Sequence, residues 1–321
     1  MLVRKHDRVV FSRGYGLADL ATHEAITPRT VFNLGSISKT FVASAILLLQ
    51  ERGKLSVEDN LAKYFPSFKH PEIAARVRIK HLLTHTSGLP DNREVAKNKA
   101  FYLTAKDAEN WAPVMQADAL RFEPGSSSEY SNPAFNGLAL IIEQVSGMKW
   151  QAFVHDNIFV PAGMTTSTIT DGPHPETGVA HGYVKDAGQW AEYDYGEAPT
   201  FAAAGNGGVW SSVEELASYE QALQRGVFLK PATVADARTV KTFANWTKPT
   251  PPGLGWSWFI AETAEHLRKI GHSGSQAGFL CDYITLPDHD IFLVVLSNTP
   301  RDIDAFTDEI LRQLAAAAWL D

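Results

Sequence analysis

Strand-like segments lie at both ends of this chain with a long helical tract between them, and that order leaves few folds open. Near the N-terminus, Val9-Val10-Phe11 and Gly14-Tyr15-Gly16-Leu17 read as two short strands with a turn between them. Toward the C-terminus, Leu254–Ile260, Leu267–Ser273, Gly278–Leu286 and Ile291–Leu296 read as strands, the last two joined by the turn Pro287-Asp288-His289-Asp290. Residues from about 60 to 200 predict helix and loop rather than strand. The expectation is an α/β (α+β) fold: one antiparallel sheet flanked by helices and closed by both chain ends, with a mainly helical lobe inserted. The α/β lobe would take approximately 1–60 and 205–321 and the helical lobe approximately 61–204, as one domain over 1–321 with a ligand cleft between the lobes.

The clearest helix begins at Ser36. Phe41, Val42, Ala45, Ile46, Leu48 and Leu49 share one face, and Gly53 stands where a left-handed cap would end it. Ser56-Val57-Glu58-Asp59 resembles an N-cap with an acidic first turn and predicts another helix. Further helices are expected at His81–Leu83, Asn136–Val145, Ser212–Leu223 and Asp302–Leu320. Arg121–Asn132, crowded with Pro124, Gly125 and four serines, reads as loop.

Composition narrows the function. A single cysteine, Cys281, allows no internal disulfide, no redox pair and no thiolate metal cluster, and on a strand it is most simply core packing. A net charge of −7 offers no basic footprint for phosphate backbones, so no nucleic-acid partner is expected. The longest apolar stretch, Phe41–Leu49, is far shorter than the roughly 20 residues of a membrane span. Met1–Asp7 lacks the apolar run of a signal peptide, so the sequence as it stands predicts a cytoplasmic protein.

Ser36 and Lys39 are three residues apart at the start of that helix, so their side chains project from one face within reach of each other. A lysine with a depressed pKa can take the serine proton, and a helix N-terminus favours the negative charge that develops. Ser146 and Lys149 repeat the spacing, but Gly147 between them should cap a helix, so that pair need not face one another. Tyr130-Ser131-Asn132 supplies a phenol that can shuttle protons and a carboxamide that can orient a substrate amide. His272-Ser273-Gly274-Ser275 lies on a predicted strand whose backbone N–H can serve an oxyanion, with Gly274 permitting close approach.

SxxK, then YxN, then a basic residue followed one position later by glycine resembles the serine β-lactamase and penicillin-binding protein superfamily. Gly14–Asp19, Thr30–Lys39, His81–Leu89, Glu123-Pro124-Gly125 and Gly207–Ser212 look like segments of its class C β-lactamase-like branch, extending the resemblance over nearly the whole chain. That branch includes D-alanyl-D-alanine carboxypeptidases, D-aminopeptidases and carboxylesterases.

The resemblance implies an acyl-enzyme on Ser36, acid and base duty shared by Lys39 and Tyr130, and substrate binding by Asn132, His272, Gly274 and Ser275. The backbone N–H groups of Ser36 and Ser275 would form the oxyanion hole. No cofactor or metal is implied. The expected partner is a small-molecule or peptide substrate, with no oligomeric state indicated. The expected activity is hydrolysis of D-amino-acid peptides, amides or short-chain esters with weak or no β-lactamase activity. The alternatives are a catalytically silent binder of peptidoglycan fragments or a partner, and a genuine class C-like β-lactamase.

Two departures stand out. Many relatives carry lysine where this chain has His272; Lys269-Ile270-Gly271 lies three residues earlier, which turns Lys269 to the opposite sheet face. A histidine of ordinary pKa is part-charged at neutrality and predicts pH-dependent affinity for a substrate carboxylate. The second departure is the start: the helix that usually precedes the first strand in relatives, which are often exported, and any export signal before it are missing, which a truncated chain, an internal start codon or a natural intracellular variant would each explain.

Other features take plainer readings. Gly271–Ser275 nearly matches a nucleophile elbow, but Ser275 replaces its last glycine and only His289 follows as a possible base. His81 and His85 have zinc-pair spacing without the glutamate or a third ligand, so capping and loop bracing are expected. Gly205–Gly208 fits a tight turn beside the cleft rather than a phosphate loop, and Trp210, Trp256 and Trp258 fit either core packing or an acyl pocket. Substrate choice should depend on loops within about 90–120 and 170–205.

Overall fold

The computed structural model describes residues 1–94, 101–169, 171, 178–192, 202–246 and 252–317. Its main sheet is antiparallel throughout, in the order Arg8–Ser12, Leu2–Lys5, Ile291–Ser297, Phe279–Leu286, Arg268–Gln276, Phe259–Glu262, Gly253–Leu254. Leu2 lies opposite Val294 and Lys5 opposite Ile291, so the two ends of the chain do pair. The strand Leu2–Lys5 was not expected. Its partner Arg8–Ser12 forms the sheet edge and exposes Val9 and Val10. Leu17–Asp19 does not join this sheet but pairs with Glu24–Ala25.

The helix Ser38–Glu51 follows a single 3-10 turn, Gly35–Ile37, and every residue from Ser38 to Leu49 is buried. An apolar stripe was expected, whereas the observed helix is enclosed on all sides, as happens when an element lies between two layers. Phe41 stacks on Tyr219 at 4.3 Å and meets Phe159 edge-on at 5.5 Å. On the sheet's other face, the helix Ile303–Ala316 covers Val3, Ile284, Leu286, Leu293 and Val295. Asp302 caps it by accepting Ala305 N–H, and the expected extension over 318–321 lies outside the described residues.

Three local expectations are corrected. Ser56–Asp59 is a turn, not a helix start: Asp59 Oδ2 accepts Ser56 N–H, and Glu58 is held by Arg78 and Lys80. Within the span read as helix and loop, Tyr183–Asp186 and Gln189–Glu192 form a hairpin through Ala187-Gly188, both at positive φ as a type I′ turn requires. Leu254–Ile260 is two strands rather than one, because Gly255 N–H bonds back to Trp258 O and Ser257 takes a φ of 64°. Trp210, Trp256 and Trp258 are core residues.

The helix Val213–Gln224 is fastened to the sheet by a buried charge pair. Arg238 donates bidentately to Glu220 at 2.8 and 2.6 Å, and Tyr283 O–H donates to the same carboxylate. Glu220 is fully buried, so removing one partner strands the other charge. Glu220→Ala should therefore cost about 3–5 kcal/mol of unfolding free energy, read as a lowered urea midpoint, and an unchanged midpoint would contradict this account.

Candidate active site

Ser36 stands in the 3-10 turn that feeds the central helix, and two glycines bring the strand Arg268–Gln276 against that turn. A Cβ on Gly274 would come within 2.0 Å of Leu34 O and 3.2 Å of Ser36 N. A Cβ on Gly35, whose φ is 49°, would lie 2.8 Å from Ser275 N. The amide nitrogens of Ser36 and Ser275 thus flank one backbone-to-backbone contact that only glycines permit.

A second clamp comes from the Phe32–Asn33 strand, which pairs with Trp210–Ser211. Asn33 accepts Gly35 N–H at 2.8 Å and donates to Gly207 O at 3.2 Å, while Ser38 Oγ accepts Val209 N–H at 3.0 Å. The Gly205–Gly208 turn is therefore laced to the nucleophile turn, in the place beside the cleft that its composition suggested. Its Asn206 carbonyl accepts Lys39 Nζ at 2.7 Å. Asp107 secures the same turn, accepting Gly205 N–H and Asn136 Nδ2–H at 2.8 Å each; burial pushes its carboxyl up to about 7.

Lys39 is fully buried, with Nζ 2.9 Å from Ser36 Oγ. Desolvation, reinforced by the nearby Arg93 guanidinium, holds its pKa well below the ordinary lysine value. Arg93 is itself committed to Asp91 and to Asn110 Oδ1. The Tyr130 ring lies 5.1 Å from Nζ and is 45% exposed, so the phenol stands between the buried amine and solvent. Asn132 is half-buried at the first position of the helix Asn132–Ser146, which Ser131 caps by accepting Ala134 N–H.

His272 also reaches this cluster but not as a cation. It is 3% exposed, and burial and Lys39 push it down to about 3. The part-charged ring expected from the sequence is thus a neutral one. Its Nδ1 lies 2.6 Å from Ser273 O, so Nδ1–H donates there and Nε2 keeps its lone pair. Lys269 faces away, 3.6 Å from Asp308 on the C-terminal helix.

The decoys behave as structural groups. Lys149 pairs with Glu143 while Ser146 bonds within its own turn, where Gly147 is left-handed. His81 Nδ1 accepts Arg78 N–H at the start of its helix. Cys281 is buried and donates to Asn33 O at 3.3 Å. Among the described residues no three His, Cys, Asp or Glu side chains gather as metal ligands, and no helix is long and apolar enough to cross a membrane. Sequence reasoning missed Asn33, Asp107, Asn136 and Asn206. Asn33 lies inside a segment that carried the family resemblance and Asn206 inside the glycine-rich turn placed beside the cleft, but nothing local indicates that the Asn206 carbonyl meets Lys39 across 167 residues of chain.

Residues 1–318 match the family model described as Beta-lactamase. Penicillin-binding protein 4* of Bacillus subtilis (strain 168) is 28% identical over 318 residues, covering 92% of this chain and 67% of that protein. Protein flp of Staphylococcus aureus (strain MW2) is 24% identical over 93% of this chain, which spans 59% of its length. Among solved structures, the octameric penicillin-binding protein homologue from Pyrococcus abyssi superposes with a TM-score of 0.84 at 25% identity, over 98% of this chain and 72% of that one. A D-amino acid amidase from Ochrobactrum anthropi SV3 shares the fold, with a TM-score of 0.82 at 20% identity over 99% of this chain and 93% of that one. With its sheet, its Ser36–Lys39 contact and this match over nearly its full length, the chain belongs to the beta-lactamase family, within the serine β-lactamase and penicillin-binding protein superfamily.

Proposed function

We propose that this protein is a serine hydrolase that forms an acyl-enzyme on Ser36 and cleaves D-amino-acid amides or peptides, or short-chain esters. The observation that carries the reading is the buried Lys39 amine 2.9 Å from Ser36 Oγ. A neutral amine there accepts the Ser36 O–H proton while one of its own N–H groups stays on Asn206 O. Ser36 Oγ then attacks the carbonyl carbon, and the oxyanion meets the N–H groups of Ser36 and Ser275. Tyr130, between Lys39 and solvent, passes the proton to the leaving nitrogen or oxygen. Asn132 orients the substrate, Gly274 admits it beside the strand, and water completes the cycle by attacking the ester.

Substrate class follows from His272. A neutral ring provides no fixed positive charge for a carboxylate, which favours amides and esters that lack a carboxylate over carboxylate-terminated peptides and β-lactams. The amidase among the fold neighbours supports D-amino acid amides as the first substrates to test. Of the loops expected to set finer preference, 95–100, 172–177 and 193–201 lie outside the described residues.

A fluorophosphonate probe should label wild type and leave Ser36→Ala unlabelled; equal labelling of both would end this reading. In a panel of D-amino acid amides, nitrophenyl esters, D-Ala-D-Ala peptides and a chromogenic cephalosporin, the first two should give the highest kcat/KM. The ratio of kcat/KM for anionic and neutral substrates should show no step between about pH 5.5 and 8, because His272 stays neutral there. A step near its ordinary pKa would mean that the ring charges after all.

Lys39 links activity to stability with a definite sign. Its folded pKa lies below the ordinary 10.5, so between the two values the unfolded chain binds the extra proton and stability rises with pH. Lys39→Met should abolish acylation, be at least as stable as wild type near about pH 7, and lose that advantage toward about pH 10. Urea titrations at both pH values test this, and an advantage that widened with pH would contradict it.

A further inference from the structure

His85 is the buried titratable group that the proposed reaction leaves without a task. It is 3% exposed, takes a left-handed φ of 57°, and touches three consecutive residues around the phenol. Its Nδ1 accepts Ser131 N–H at 3.1 Å, its carbonyl oxygen accepts Glu129 N–H at 2.9 Å, and its ring lies 4.4 Å from that of Tyr130 at 31°. Because Nδ1 accepts, the ring proton sits on Nε2, which is buried without a hydrogen-bond partner. Lys39 from the central helix and His272 from the sheet are the basic groups acting on the ring, and both join burial in disfavouring its charge. Protonating Nδ1 would set its new N–H against that of Ser131.

A packing role alone requires bulk, not an acceptor aimed at one backbone amide beside an exposed tyrosine. We propose that His85 is the positioning residue for Tyr130: in its Nε2-protonated neutral form it fixes the backbone on both sides of the phenol and supports the ring from beneath. The proposal rests on the serine-hydrolase reading for what Tyr130 does. It assigns the histidine of the Thr84-His85-Thr86 segment a specific task, while the neighbouring His81 only caps a helix.

The test compares His85→Asn with His85→Gln. Asparagine places an acceptor oxygen where Nδ1 lies and tolerates left-handed backbone. Glutamine carries its acceptor one bond farther out and loses the Ser131 contact. Both lose the ring, so the pair differs in the acceptor and in tolerance of the left-handed φ of 57°, and a urea midpoint measured for each variant reads the strain separately. Acylation of Ser36 by a D-amino acid nitroanilide, whose leaving nitrogen needs the proton that Tyr130 passes, should show His85→Asn within about threefold of wild type and His85→Gln about 10²-fold slower, in kcat rather than KM. Hydrogen exchange at the Ser131 amide should accelerate in His85→Gln and not in His85→Asn. Equal acylation by the two variants, or Ser131 exchange that is the same in both, overturns the proposal. A wild type that does not label at Ser36 overturns the hydrolase reading instead; the Ser131 exchange then still decides whether His85 holds the 129–131 segment.

Discussion

An amine buried at the centre of the molecule is the constraint around which the rest is arranged. Full desolvation of an ammonium costs several kcal/mol, far more than two hydrogen bonds return, so Lys39 is tolerable inside only if it gives up its proton. Its position forces that outcome. The helix is buried from Ser38 to Leu49, and Arg93, the charged group that acts on Lys39, is of the same sign. The resulting neutral amine has one good proton acceptor, its own lone pair, and Ser36 Oγ lies 2.9 Å away. Burial, usually a stabilising feature of a helix, is here what makes lysine a base.

The backbone contacts serve this amine. Asn33, Ser38 and Asp107 tie the Gly205–Gly208 turn in place, and that turn presents the carbonyl which holds Nζ. Gly35 and Gly274 remove the Cβ atoms that would separate strand from turn. Positioning thus comes from rigid backbone rather than from long side chains, which keeps the reacting atoms within the tolerance that such chemistry requires.

Much of the fold was legible because it is written in local periodicity: the C-terminal strands and the central helix follow from alternation and apolar periodicity, and closure of the sheet from strands lying at both ends, although Leu2–Lys5, the strand that makes the pairing, was not expected. The hairpin at Tyr183–Glu192 was missed because its strands are largely exposed, with Gln189 to Glu192 all on the surface, so no apolar alternation announces them. Ser36, Lys39 and Tyr130 could be proposed as site residues because the motifs that carry the family resemblance lie within a few residues of each. Their supports could not: Asn206 reaches Lys39, and His85 reaches Ser131, across 167 and 46 residues of chain. The protonation of His272 was misjudged for a related reason. Its residue type was visible, but its burial depends on Phe259 from the neighbouring strand, 5.0 Å away.

Those buried bases share one electrostatic logic. Lys39 disfavours charge on both His85 and His272, His272 does the same to His85, and the guanidinium of Arg93 is already answered by Asp91. At rest the cluster is therefore close to neutral. In the proposed reaction, Lys39 takes the serine proton, so that a cation appears in a site of low dielectric at the moment an oxyanion forms beside the Ser36 and Ser275 amides. Attraction between the two is strong because water does not screen it, and it is absent from the ground state. A permanently charged histidine or lysine at position 272 would have oriented an anionic substrate at the cost of repelling that new cation. A neutral His272 gives up that orientation and, in the proposed reaction, leaves the ammonium of Lys39 as the cation that forms with the transition state, which suits a carbonyl substrate that brings no carboxylate.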